Sequence, residues 1–183
     1  EAGWTLRSFE RTGDDVEHSA KAYIASKDVV DISQHMAADG TLRWSAPYDG
    51  RWTILRIGHV NEGKKNAPAP EAGTGWECDK LSTEGPEAHY AGYIGRLTGG
   101  ALQGGKLNGL LLDSWECRTQ MWTMKMEQEF SARKGYELRS WLPALLGYVV
   151  DDAQTTSRFL LDWRGVVGDL FANKFYRRMA ELG

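Results

Sequence analysis

The chain has 183 residues, 42% hydrophobic and 26% charged, a composition that suits one folded domain with a sizeable core. A net charge of −3 and an isoelectric point near 5.8 argue against nucleic-acid binding, which needs a basic patch. No run approaches the roughly 18 apolar residues of a membrane span. The two cysteines, Cys78 and Cys117, form no Cys-x-x-Cys pair of the kind that holds zinc or runs redox chemistry. A disulfide between the two is one reading, and a buried free thiol is the commoner state for each.

The first 27 or so residues are weakly patterned, with Trp4, Leu6 and Phe9 alternating as in a strand. Residues 27–32 (Lys-Asp-Val-Val-Asp-Ile) form a candidate strand, 36–40 a turn, and 41–45 alternates like a half-exposed strand. Pro47-Tyr-Asp-Gly50 is a second turn signal, and the second clear strand follows at 51–59. Short strands joined by Asp-Gly turns predict an antiparallel ribbon or small β layer. Residues 60–79, rich in Gly, Pro, Lys and Asn and without period, read as a pocket-lining loop, with a floppy surface excursion as the competing reading.

Helical patterns then take over. Gly85-Pro86 is a start signal, Tyr90, Tyr93, Ile94 and Leu97 make a stripe, and Gly99-Gly100 ends it. A strand at 107–112 precedes a helix at about 121–134 that stops at Gly135, then a shorter helix carrying Leu138, Trp141, Leu142 and Leu145. The last helix, about 153–181, places Phe159, Leu160, Trp163, Val166, Val167, Leu170, Phe171, Phe175 and Met179 on one core stripe.

The βα alternation after residue 50 predicts an α/β fold: part of a (β/α)8 TIM-type barrel, with the N-terminal antiparallel β ribbon or small β layer at 1–50 and the barrel section at 51–183. Strands 51–58 and 107–112 are expected to lie parallel in one sheet, with helices 86–98 and 153–181 outside it. A complete barrel usually needs about 250 residues. The chain opens at Glu1-Ala-Gly-Trp without methionine or leader and closes at Gly183, so it reads as a mature or excised piece of a larger protein.

The most informative stretch is Leu110-Leu-Leu-Asp-Ser-Trp-Glu116. A wholly apolar run opened by Asn108-Gly109 reads as a strand buried on both faces, and it stops at two carboxylates and a tryptophan. In an α/β barrel the reacting groups sit where such strands end. Asp113 and Glu116 occupy that place, and Trp115 offers the flat apolar surface a sugar ring needs, so the reading is a glycosidase acid site. Eight tryptophans and seven tyrosines suit a carbohydrate partner. Against this, a carboxylate after a strand is often only a helix cap or an ion-pair partner. Asp79 and Lys80, at another expected strand end, are candidates for hydroxyl recognition, though Lys80 serves equally as a salt-bridge partner. His59 is a candidate sugar ligand or a buried structural histidine.

Taken in order, the strand ending Trp52-Thr-Ile-Leu-Arg-Ile-Gly-His59, the loop Gly63 to Pro70 (Gly-Lys-x-Asn-x-Pro-x-Pro), Glu77-Cys-Asp-Lys-Leu-Ser82, Asp113-Ser-Trp-Glu116 and the Lys134-Gly-Tyr…Trp141-Leu-Pro…Leu146-Gly147 segment resemble the catalytic region of glycoside hydrolase family 106, the α-L-rhamnosidases. The likeness runs from about residue 28 to the C-terminus. It implies an inverting hydrolase on an α/β barrel, acting on terminal α-L-rhamnose, commonly with calcium. Glu116 corresponds to the general acid, and the general base falls beyond Gly183, so the isolated piece is expected to be inactive and to need the rest of the parent barrel. Calcium takes six to eight oxygens, and no Asp-x-Asp-x-Asp loop marks its ligands here. The resemblance also implies an exported bacterial enzyme, secreted or periplasmic. Competing readings are another barrel glycosidase, such as a β-galactosidase-like enzyme, and a non-catalytic sugar-binding or structural piece.

Overall fold

The computed structural model describes residues 23–61, 63, 65–112 and 120–183. These residues are mainly helical, with one small parallel sheet. The chain divides into two compact units: residues through Gly58 together with Phe130–Trp163, and His59–Glu129 together with Arg164–Gly183.

In the first unit, β1 (Tyr23–Ile24) pairs in parallel with β2 (Val149–Val150), Tyr23 opposite Val149 and Ile24 opposite Val150. Both valines are buried, and β-branched side chains favour that extended backbone. Asp151 follows at φ 62, a left-handed conformation that aspartate tolerates better than most residues. Its N–H donates to the Ile24 carbonyl at 2.8 Å, and its carboxylate accepts from the Ser26 N–H at 2.7 Å. Asp152 then caps the long helix α5 (Ala153–Leu170), accepting from the Thr155 N–H at 2.7 Å. The buried Thr156 hydroxyl is fully used, accepting from the Val150 N–H at 2.8 Å and donating to the Val150 carbonyl at 2.9 Å.

An aromatic cluster fills this unit. Phe130, at the middle of helix α3 (Met126–Lys134), lies 5.8 Å from Phe159 and 6.4 Å from Trp163 between ring centres. Trp141 stacks on Phe159 at 5.6 Å, just before the short helix α4 (Leu142–Leu145). Each such pair contributes about 0.5–1.5 kcal/mol beyond the area it buries. Tyr136 donates to Asp162 at 3.0 Å, and burial raises its phenol above the ordinary range.

In the second unit, α1 (Glu84–Gly92) is followed by α2 (Ile94–Thr98). Helix α1 packs against the π-helical turn Phe171–Tyr176 and against α6 (Arg177–Leu182). Arg178 crosses that contact, donating to Glu87 at 2.7 Å and to Glu181 at 3.0 Å. Lys174 pairs with Glu129 at 3.0 Å. Leu81, Pro86, Val166, Leu170, Phe171 and Met179 are buried here.

Several expected elements take another form. Residues 51–58 and 107–112 carry no strand, so the expected parallel pairing between them is absent, and the sheet of the described residues is the short β1–β2 pair. An apolar run becomes a strand only when a neighbour takes its N–H and C=O groups, and among the described residues neither run has a ladder partner. Ile54 and Leu111, one from each run, are 55% and 91% exposed. Residues 27–32 are likewise not a strand. Asp31 turns back to accept from the Ser33 N–H at 2.9 Å, a local bond that competes with a ladder. Of the antiparallel ribbon, the described residues keep one bridge, Met36 with Leu42, around a turn in which Gly40 has φ 84. The expected helix 86–98 is split at Tyr93, where φ −125 and ψ −79 leave the helical region. Tyr93 is exposed and none of the four stripe residues is buried. Glycines 92 and 95 flank the break, and each weakens a helix by about 1 kcal/mol relative to alanine.

Asp31 also gives a pH prediction. Hydrogen bonds from Ser33, and then Arg139, hold its carboxyl down from 3.8 to about 2. A carboxyl depressed by folding stabilises the native state above its unfolded pKa and loses that contribution as pH falls toward its folded value. Protection of the Ser33 amide against hydrogen exchange should therefore persist at pH 4 and fall away toward pH 2. In Asp31→Asn the step should be absent. Because the pair is half exposed, its worth is at most about 1 kcal/mol. An identical profile in wild type and variant would exclude this origin.

Candidate functional site around Gln120–Thr123

Asp113, Trp115 and Glu116 lie outside the described residues, as does Cys117. The chain resumes at Gln120, and the four residues from Gln120 to Thr123 gather the other expected site residues. The Gln120 side-chain amide donates from Nε2 to the Cys78 carbonyl at 2.7 Å and accepts at Oε1 from the Lys80 N–H at 2.8 Å. A primary amide thus serves both backbone groups as a neighbouring strand would. The His59 ring stacks on Trp122 with centres 6.1 Å apart and planes inclined by 23°. Thr123 Oγ1 donates to Asp79 Oδ2 at 2.6 Å, and the other carboxylate oxygen accepts from the Leu81 N–H at 2.9 Å.

His59, Asp79 and Lys80, spread over 22 positions of sequence, are therefore brought to one short stretch. They arrive in different states. His59 is exposed. Asp79 is partly buried, with both oxygens engaged. Lys80 is buried at 8% exposure, its ammonium 2.9 Å from Glu77 and 5.6 Å from the centre of the Phe175 ring. That pairing satisfies a charge that burial would otherwise penalise heavily. Cys78 is a half-buried free thiol, and burial pushes its pKa above the usual range.

The 78–85 turn that carries these groups is tightly constrained. The Asp79 carbonyl accepts from Ser82 Oγ at 3.3 Å, and the same hydroxyl accepts from the Gly85 N–H at 3.3 Å. A Cβ at Gly85 would lie 2.0 Å from the Asp79 oxygen, so only glycine permits this approach. Glu84 is held to a pKa of about 2, chiefly by a 2.7 Å hydrogen bond from Lys125 just before α3.

The loop leading in from His59 is built by its own bonds. Asn66 accepts at its side chain from the Gly75 N–H at 2.7 Å and donates to the Gly73 carbonyl at 3.0 Å. Lys65 and Trp76 form an antiparallel bridge. Among the described residues no three carboxylate, imidazole or thiolate groups converge.

Gln120, Trp122 and Thr123 were not singled out for function in the sequence, which placed 121–134 on one helix. The helix begins only at Met126, because Thr123 is committed to Asp79. Two polar side chains in Gln120-Met-Trp-Thr123 are the sole signal, and it is weak.

A family profile described as alpha-L-rhamnosidase matches residues 1–183. The chain is similar to the "Putative beta-glucuronidase" of Formosa agariphila, with 39% identity over 165 residues, covering 89% of this chain and 14% of that protein. It is also similar to the structure of a rhamnosidase from Novosphingobium sp. PP1Y, with a TM-score of 0.72 and 31% identity, over 86% of this chain and 16% of that one. The chain thus spans about one-seventh of the length of these relatives.

Proposed function

This chain belongs to glycoside hydrolase family 106, the α-L-rhamnosidases, and from that premise we propose that it is the acid-bearing section of an inverting glycosidase that releases terminal α-L-rhamnose. Glu116 is the general acid. Its carboxyl proton passes to the glycosidic oxygen as the bond to the anomeric carbon breaks. A water on the opposite face adds to that carbon and gives its proton to a second carboxylate, roughly 6.5–9.5 Å from the first. That base lies outside these 183 residues. Asp113, Trp115, His59, Asp79 and Lys80 form the sugar-facing surroundings. Calcium and an exported bacterial setting belong to the same proposal. Runs 51–58 and 107–112 become barrel strands when other parts of the full-length protein take their free backbone groups.

The observation that supports this reading is the meeting of His59, Asp79 and Lys80 with Gln120–Thr123, a stretch that begins four residues after Glu116 in the chain. A second reading, cleavage of β-glucuronides, draws on the name of the Formosa relative. A glucuronate carboxylate calls for a cation; Lys80, of the proposed site, is paired with Glu77. The test is a panel of aryl glycosides offered to the full-length protein, with the product anomer followed by NMR. Release of β-L-rhamnose from the α-L-rhamnoside is expected. Turnover of the β-glucuronide alone would transfer the substrate, the α-anomer would contradict inversion, and binding without turnover would make the protein a sugar-binding module.

A further inference from the structure

We infer that Trp122 is a positioning residue for His59, the flat backing that presents the imidazole edge to a sugar hydroxyl; this rests on the reading of His59 as a sugar ligand. His59 is exposed. Among the described residues no backbone hydrogen bond holds it or Val60, and no hydrogen bond engages its ring nitrogens. What restrains the ring is the stack on Trp122, with centres 6.1 Å apart and planes inclined by 23°, an offset arrangement that aromatic pairs favour. Trp122 is half-buried and sits on an anchored stretch. Two residues before it, the Gln120 amide holds the Cys78 carbonyl and the Lys80 N–H at 2.7 and 2.8 Å. One residue after it, Thr123 donates to Asp79 at 2.6 Å. The platform is therefore fixed on both sides, whereas the histidine depends on the platform. A neutral imidazole carries one donor and one acceptor nitrogen in the plane of the ring, and a sugar hydroxyl is likewise both. Stacking covers a face of the ring and leaves that edge open. Holding the ring before the sugar arrives removes an ordering cost worth roughly two- to ten-fold in affinity.

A double-mutant cycle in the full-length protein, read on an aryl α-L-rhamnoside, tests this. His59→Ala is expected to raise KM roughly 30-fold, the scale of a lost hydrogen bond that leaves its partner unsatisfied. Its kcat should stay within about two-fold, because the contact is made in ground state and transition state alike. Trp122→Leu keeps the imidazole but removes its backing, and should raise KM by up to about 10-fold. Trp122→Phe retains a flat face and should stay within about three-fold of wild type. The variant carrying both His59→Ala and Trp122→Leu should match His59→Ala alone, since Trp122 acts through the histidine. A tryptophan with a merely structural role would multiply the two losses, to roughly 300-fold, or would lower kcat along with them; either result overturns the inference. If the leucine variant fails to fold, Trp122→Met, also apolar and without a flat face, takes its place in the cycle. Where His59→Ala raises KM and loss of the indole does not, the positioning role alone fails. Where His59→Ala leaves KM unchanged, the sugar reading of His59 fails and the positioning role falls with it.

Discussion

Glu116→Gln in the full-length protein is expected to lower hydrolysis of an alkyl rhamnoside by about 10²–10⁴-fold, the range that general-acid assistance contributes. The same variant should cleave an activated aryl rhamnoside with a much smaller loss, since that leaving group departs with little help. Glutamine matches glutamate in volume and keeps hydrogen-bonding capacity, so the fold is expected to survive, which circular dichroism checks directly. Equal losses on both substrates would assign Glu116 to the base, to a metal or to binding. Unchanged rates would make it a structural residue.

Gly85→Ala should be the most damaging single methyl in the second unit. The added carbon would sit 2.0 Å from the Asp79 carbonyl oxygen, a backbone atom that cannot swing aside as a flexible side chain would. Something must shift: either α1 moves off the turn, or the turn moves and takes the Asp79–Thr123 and Lys80–Gln120 bonds with it. Overpacking costs up to about 3 kcal/mol, and a backbone clash lies at the upper end. Hydrogen exchange of peptides covering 78–92 in the full-length protein should accelerate by roughly 10²-fold on that figure. An effect confined to α1, with Gln120 still protecting the Lys80 amide, would show that the turn stays fixed and the helix yields.

The parts legible in the sequence are those whose stability is local or periodic. The stripe from Phe159 to Phe171 is readable because it repeats every three to four residues, and all but Leu160 of its expected members in that span are buried. Gly135 ends α3 at φ 77, as its position after the last periodic residue suggests. The family, too, was legible from ordered short motifs. What the sequence concealed depends on partners far along the chain. Two valines between Gly147 and Asp151 are too short to announce a strand, and their partner is 126 residues upstream. Runs 51–58 and 107–112 look like strands by composition, but pairing is not a property of a single segment. Gln120 is conspicuous only once the 78–80 backbone is beside it.

The π turn in the last helix sets a rule for how this chain tolerates changes of length. The Arg177 N–H reaches back five residues to Ala172. One extra residue held in a single turn withholds about 100° of rotation from everything after it. Leu170 and Met179, nine residues apart, would point to opposite sides of an uninterrupted helix. With the delay they stand about 80° apart, and both are buried. Losing one residue within Phe171–Tyr176 would close the ladder to a regular helix, keeping Arg178 toward Glu87 and Met179 inward. The same loss anywhere else in α5 or α6 would swing every later side chain by about 100°. In this helix, drift in chain length has one forgiving address.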